Sequence, residues 1–362
     1  MAQRVTIQDI ADELGLSRNT VSKAINNTGV LADATKERIL QKAMEMGYKT
    51  FSYANNREGL RTYSGNPPVP SAAAPGSGKM IALLHGIFLD TSHFASTMLD
   101  KFQYELSLLG YSMSMHRIMP ENFDQLTLPL SFHKENTAAI VCIEVFHYPY
   151  CQMVCDLGLP VLFVDAPVSS YASPLPADLL LMENASGIYR IIKTAKENGI
   201  TKIGFVGEAL HCRSFFERFM AFREAMYLYS LPINDAFCLT GIHPHGQDYR
   251  AYLRQHLEQM DELPELFICA NDFIAVDMLI ILRGMNISCP EEIMLCGFDD
   301  SPESRVISPP LTTCHIHSQI MGLSAAKMLV NRIEEPDLNY RTVHTETDLL
   351  FRESTRGEFN NA

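Results

Sequence analysis

Between residues 80 and 300 short apolar runs alternate with stretches whose apolar positions fall three and four apart. MIALLHG, YSMSMHRI, AAIVCIEVF, PVLFVDAPV, KIGFVGEA, ELFICAND and IMLCGFDD each read as a buried strand. Between them, ASTMLDKFQYELSLLG, YPYCQMVCDLG, ASGIYRIIKTAKENG, SFFERFMAFREAMYLYS, GQDYRAYLRQHLEQM and FIAVDMLIILRG read as helices, several stopped by glycine. This alternation predicts an α/β fold of parallel sheets with helices on both faces. At about 280 residues it exceeds one doubly wound unit, so two lobes facing each other across a cleft are expected.

The first residues follow another rule. In TIQDIADELGLSRNTVSKAIN, residues 6–26, Ala11 falls where two helices approach closely and Gly15 suits a left-handed turn. Ile10, Leu14, Leu16, Val21 and Ala24 supply apolar faces, and Ser17 is placed to cap the second helix. On that helix Arg18, Asn19, Ser22, Lys23 and Asn26 form a polar stripe turned away from Val21 and Ile25. Arg and Lys pair with guanine, Asn with adenine, and Ser or Asn with phosphate oxygens. A third helix over residues 33–46, with Ile39, Leu40, Ala43 and Met46 inward and Gly47 as its stop, completes a small all-α helix-turn-helix headpiece.

Charge sharpens this division. The whole chain carries a formal −13 over 362 residues, which argues against a polyanionic partner until it is split. Residues 1–62 hold nine cations and seven anions, netting +2, and leave −15 for the rest. Residues 63–78, YSGNPPVPSAAAPGSG, contain no charge and no periodic signal and read as a flexible linker. What the charge excludes is whole-surface DNA binding, and not recognition by a tethered headpiece. Nine cysteines, several inside apolar runs (Cys142, Cys269, Cys296), suit reduced thiols in the cytoplasm. Arg4, Asp9, Asp12 and Glu13 stand where a signal peptide would be apolar, and no run is long enough for a membrane span.

With these residues in view, the chain resembles the lactose-repressor (LacI) family of bacterial transcription regulators over nearly its whole length. The N-terminal marks are VTIQDIA, GLS, TVSKAIN, Glu37-Arg38-Ile39 and Gly47-Tyr48. The C-terminal marks are Ala270-Asn271-Asp272, PEEI at 290–293, GFDD at 297–300, PPLTT at 309–313 and LFRES at 350–354. The resemblance implies a headpiece joined to a two-lobed core like a periplasmic sugar-binding protein, a homodimer on pseudo-palindromic double-stranded operator DNA, and control by a small effector, most simply a sugar or sugar derivative. It divides the chain into a headpiece at 1–48, a hinge and linker at 49–78, an N-terminal lobe at 79–177 with 316–344, and a C-terminal lobe at 178–315 with 345–356. It places base contacts on Arg18, Asn19 and Lys23, and phosphate contacts on Thr6, Ser17, Thr20, Ser22 and Asn26. Its effector pocket maps to Asp165, Arg218, Asn271 and Asp299, with Phe94 as an aromatic wall.

The residues support that pocket independently, because strand C-terminal ends open into the cleft of such sheets and carboxylates, an amide and a guanidinium suit a polyhydroxylated ligand. Other readings stand beside it. Asn271 and Asp272 can cap a helix, Asp299 can form an Asx turn, and Arg218 can pair with Glu217 or Glu224. The family's hinge helix reads roughly Pro-Asn-x-x-Ala-x-x-Leu, its leucine wedging into the minor groove. Here it is KTFSYANNR, with Ala54 kept and Arg57 at the leucine position, so a leucine wedge is not expected and Arg57 is the minor-groove candidate. Leu31 and Ala32 replace the usual valine and serine before the third helix, and Ile316 replaces a glutamine-like pocket residue.

Other constellations carry less. His315 and His317 could face a metal but read better as part of a lobe-linking strand, Cys151 and Cys155 read as core, and His243 is a further candidate wall. No phosphate-cradling or nucleophile-elbow motif occurs, so neither an enzyme nor a cofactor is expected. A soluble sugar-binding sensor that has lost specific operator binding is the alternative function.

Overall fold

The computed structural model describes residues 6–25, 35, 38, 39, 42, 46, 79–86, 93–243 and 248–359. The chain divides into two compact units, Met1–Ser71 and Ala72–Ala362.

In the first unit, α1 (Ile7–Leu14) opens on a capping box in which the Thr6 hydroxyl accepts from the Asp9 amide at 3.3 Å and the Asp9 carboxylate accepts from the Thr6 amide at 2.7 Å. It ends on Gly15 in the left-handed conformation, φ 64°. Helix α2 (Arg18–Ile25) is capped by Ser17, whose Oγ accepts from the Thr20 amide at 3.1 Å. Ile10, Ala11, Val21 and Ala24 close the pair with Ile39, all essentially without exposure, and Met46 packs on the same cluster. Arg38 donates to the Leu14 carbonyl and ties the Ile39 segment to the end of α1. Leu40, Ala43, Gly47, the departures at Leu31 and Ala32, and the hinge and linker lie outside the described residues.

The second unit holds two sheets. In the first, β1 (Met80–His85), β2 (Ser112–Arg117), β3 (Thr137–Ile143), β4 (Val161–Val164), β5 (Asp178–Met182) and β11 (Thr342–Thr345) stand in the order β11-β5-β4-β3-β1-β2, all parallel. In the second, β6 (Ile203–Val206), β7 (Cys238–Leu239), β8 (Leu266–Cys269), β9 (Met294–Asp299), β10 (Thr312–Ile316) and β12 (Thr347–Leu350) stand in the order β12-β10-β9-β8-β6-β7, with only β12 antiparallel. The seven expected strands are all present. Each has the uninterrupted burial of a sheet covered on both faces, save β2, which lies at an edge.

The helices in chain order are α3 (His93–Leu108), α4 (Pro120–Gln125), α5 (Tyr148–Cys155), α6 (Ser186–Glu197), α7 (Arg213–Leu228), α8 (Tyr249–Glu258), α9 (Asp272–Gly284), α10 (Pro302–Val306) and α11 (Ser318–Glu334). Met98 and Phe102 of α3 pack with Met321, Ala325 and Leu329 of α11 in the first lobe. Cys151 and Cys155 lie in its other core layer, as expected of core thiols. Phe205, Phe222, Phe267 and Met278 anchor the second lobe.

The expected lobe boundaries move. The first lobe was to end at residue 177, but β5 pairs with β4 and β11 inside the first sheet, so the chain leaves that lobe only after Met182. The cause is burial: Asp178–Met182 is covered on both sides and completes the sheet before the crossover. Further crossings follow Ile316, where β10 hands over to α11, and Thr345, between β11 and β12. His315 thus belongs to a lobe-linking strand. His315 and His317 each turn a ring nitrogen to a carboxylate, Asp300 at 2.9 Å and Asp348 at 3.0 Å.

Candidate DNA-reading helix and interlobe site

Helix α2 is buried on one side and open on the other. Val21 and Ala24 point into the headpiece core, whereas Arg18, Asn19 and Lys23 are exposed and Ser22 and Thr20 half-buried. Ser17 and Thr20 share a hydrogen bond of 2.8 Å between their hydroxyls at the start of the helix. Thr6 is exposed, with its hydroxyl committed to the capping box of α1. Helix α2 has no acidic residue in its first turn, a setting that suits phosphate at its start. Asn26 and Arg57 lie outside the described residues.

In the core, Asp165 follows β4, Asp299 ends β9, Asn271 precedes α9 and Arg218 lies within α7. Asp165 follows β4 in the left-handed region, φ 61°, and its Oδ1 accepts from the amides of Ala166 at 2.7 Å and Ser214 at 3.2 Å. Ser214 sits in the first turn of α7, so this first-lobe carboxylate caps a second-lobe helix. Burial raises the Asp165 carboxyl, and those hydrogen bonds together with Arg218 oppose the rise.

Arg218 is 2% exposed. Its Nε donates to Asn184 Oδ1 at 2.9 Å, its Nη1 donates to the Ala270 carbonyl at 2.6 Å and lies 3.8 Å from Asp299 Oδ1, and its guanidinium stacks 3.5 Å over the Phe298 ring. It pairs with neither Glu217 nor Glu224, the two partners its own helix offered. Asp299, the last residue of β9, has φ 112° and keeps about a fifth of its side chain exposed. Burial pushes its carboxyl up to about 8; Arg218 lowers it, and Asp272 and Glu144 raise it further.

Asn271 caps α9, accepting from the Ile274 amide at 3.0 Å. It also follows Ala270, whose carbonyl holds Arg218, so capping leaves it at the same site. Asp272 is fully buried and ties α9 to the next strands, accepting from the Ser301 amide and the Thr313 hydroxyl. Phe94 begins α3, and its side chain lies outside the described residues. The Ile316 side chain is 2% exposed and belongs to the first-lobe core rather than to a polar wall. His243 packs edge-on to Tyr249 and Tyr252, and among the described residues its buried Nε2 has no hydrogen-bond partner.

Several residues of this site carry no mark in the sequence. Glu217, on α7, takes hydrogen bonds from Tyr171, Asn184, Arg213 and His344. Burial alone would raise its carboxyl; the hydrogen bonds outweigh that and bring it down to about 2. Phe146 meets His211 edge to face at 5.2 Å between centroids, a ring contact from one lobe to the other. Asn184 precedes the expected helix ASGIYRIIKTAKENG and looks there like an ordinary capping residue.

Residues 6–50 match the family described as bacterial regulatory proteins, lacI family, and residues 192–355 match the periplasmic binding protein-like domain. The chain belongs to the LacI family. The HTH-type transcriptional repressor PurR of Histophilus somni (strain 2336) is 24% identical over 352 residues, covering 97% of this chain and 99% of that protein. PurR of Haemophilus influenzae (strain ATCC 51907 / DSM 11121 / KW20 / Rd) is 26% identical over 356 residues, covering 97% and 98%. Among solved structures, a transcriptional regulator CelR-cellobiose complex aligns with a TM-score of 0.65 at 20% identity over 97% of this chain and 100% of that one. The lac repressor dimer bound to operator and the anti-inducer ONPF aligns at 0.61 and 15% identity over 98% and 99%. These structures share the fold. As a LacI-family member this chain is a DNA-binding transcriptional regulator with an effector-binding core, in a family of repressors rather than enzymes. The sensor without an operator is not favoured by a headpiece match this complete. No helix among the described residues is long and apolar enough to cross a membrane.

Proposed function

We propose that this regulator is a homodimeric repressor whose α2 helices read two half-sites of a pseudo-palindromic operator, and whose operator affinity is set by a small polar effector between the core lobes. The observation that carries the DNA half is the exposed stripe of Arg18, Asn19 and Lys23 on a helix capped by Ser17 and fixed by a closed core. These side chains contact bases. Thr6, Ser17, Thr20 and Ser22 contact phosphate, Thr6 through its helix start since its hydroxyl is engaged, and Asn26 and Arg57 join from sequence alone.

The effector half rests on Arg218, buried among Asn184, Ala270 and Asp299, with Asp165 and Asn271 beside the same cleft and Phe94 as the wall. Such a set of acceptors around one guanidinium favours a ligand with several hydroxyls, a sugar or its derivative, and the neighbour solved with cellobiose is in keeping with it. An effector acts here only through unequal affinity for two lobe arrangements.

Footprinting on genomic fragments around the protein's own gene tests the proposal. Arg18→Ala and Lys23→Ala each cost about 1 to 3 kcal/mol at particular base pairs and relax preference there. A footprint unchanged in both variants would remove α2 from the major groove. Repeating the footprint with sugars, sugar phosphates and nucleobases identifies the effector class.

A further inference from the structure

The two lobes are held together at one side of the cleft by a group of contacts that the effector pocket does not require. Glu217 stands on α7 of the second lobe, yet Tyr171, between β4 and β5, and His344, on β11, both belong to the first. Tyr171 donates its hydroxyl to Glu217 Oε1 at 2.7 Å and His344 Nε2 donates to Oε2 at 3.3 Å. Arg213 reinforces the contact from the same helix, donating to Glu217 at 3.1 Å while its guanidinium lies 4.2 Å over the Tyr171 ring.

Asn184, at the first crossover between lobes, is 3% exposed and uses both ends of its amide. Its Nδ2 donates to Glu217 Oε2 at 2.7 Å and its Oδ1 accepts from Arg218 Nε at 2.9 Å. A planar amide satisfied at both ends cannot turn for one partner without weakening the other.

We propose that Glu217 is a latch closing the two lobes and that Asn184 is the positioning residue coupling this latch to Arg218. An occupant that draws the Arg218 guanidinium away frees Asn184 Oδ1, lets the amide rotate, and loosens the Glu217 contacts with Tyr171 and His344. This deepens the effector reading by naming how the pocket reports to the lobe contact, and it rests on that reading only in taking Arg218 as the sensing end.

Two backbone amides report the closure without any ligand, since Arg213 N donates to the first-lobe carbonyl of Ala166 at 2.8 Å and Ser214 N donates to Asp165. Site-resolved hydrogen exchange on the full chain is therefore the test. Tyr171→Phe and His344→Leu, made on the opposite lobe, are expected to speed exchange at Arg213 and Ser214 about threefold to tenfold, the worth of one hydrogen bond, with the amides of residues 219–228 unchanged. Exchange unchanged at both amides, or rising along the whole helix, overturns the latch.

For the coupling, Arg218→Lys is expected to speed the same two amides in the parent chain but to add nothing in an Asn184→Ala background. Equal effects in both backgrounds overturn the role of Asn184. Because no ligand enters the measurement, a failed latch is distinguishable from a failed effector assignment, which the footprint with added sugars decides.

Discussion

Two carboxylates on either side of Arg218 are displaced in opposite senses, and their signs separate them experimentally. Glu217 lies near 2, so what it contributes is whole at neutral pH and is lost only as the pH falls from the ordinary 4.5 through about 2. Asp299 lies near 8. An acid that holds its proton more tightly in the fold than in the unfolded chain contributes fully below its ordinary 3.8, and that contribution drains as the pH rises through about 8. Asp272, raised by burial to about 6 against hydrogen bonds from Thr313 and Ser301, adds to the same fall. Asp299→Asn, which keeps the shape and removes the ionisation, is expected to lessen the decline in melting temperature of the full chain between about pH 4 and pH 8. Parallel declines in parent and variant would show that Asp299 is ionised over that whole range.

At the scale of elements, the legible parts were those whose burial is carried by their own residues. MIALLHG or AAIVCIEVF is apolar enough to announce a covered strand by itself, and Ser17 and Gly15 mark helix ends through local backbone chemistry. Several elements not anticipated depend on distant partners. β7 is two residues long, and β11 (TVHT) and β12 (TDLL) are polar edge strands whose place is set by pairing alone. Helix α11 carries Gly322, where a Cβ would come 2.3 Å from the Met98 carbonyl, so the glycine is what lets α11 lie against α3. The same distinction holds at the site, where Asp165, Arg218, Asn271 and Asp299 sit on motifs but Asn184 and Glu217 acquire meaning only when the lobes meet. Position 178 shows how strongly a distant partner can set an element. Asp178, 1% exposed, takes paired hydrogen bonds of 3.0 Å from Arg332 of α11 and one of 2.8 Å from the Arg341 amide, fixing β5, α11 and the approach to β11 together. Asp178→Ala leaves the nearly buried Arg332 guanidinium without its counter-charge and is expected to cost about 3 to 5 kcal/mol in denaturant unfolding of the core. A loss under about 1 kcal/mol would mean that the Arg332 contacts with the carbonyls of Pro336 and Asn339 are sufficient alone.

For the whole molecule, the −13 becomes a constraint on assembly. A core of −15 is repelled by DNA, so affinity has to come from residues 1–62, near +2, whose few cations cannot hold an operator strongly alone. Pairing two headpieces through their cores multiplies that weak grip, because the second half-site is then met at high effective concentration. The core exposes apolar side chains on both lobes: Tyr104 and Leu108 on α3, Phe273 and Ile280 on α9, and Val306, 83% exposed, at the end of α10. In the proposed homodimer these exposed side chains are the candidates to meet their own copies across a two-fold axis. Introducing a like charge at both copies, as Ile280→Glu with Val306→Glu, places carboxylates against their symmetry mates without touching the buried cores. The expected outcome is a monomer in sedimentation equilibrium, a melting profile of the lobes close to the parent's, and operator affinity reduced by about a hundredfold or more as the two half-sites are bound independently. A double variant that still sediments as a dimer locates the interface elsewhere, and a monomer with undiminished affinity means that one headpiece alone reads the site.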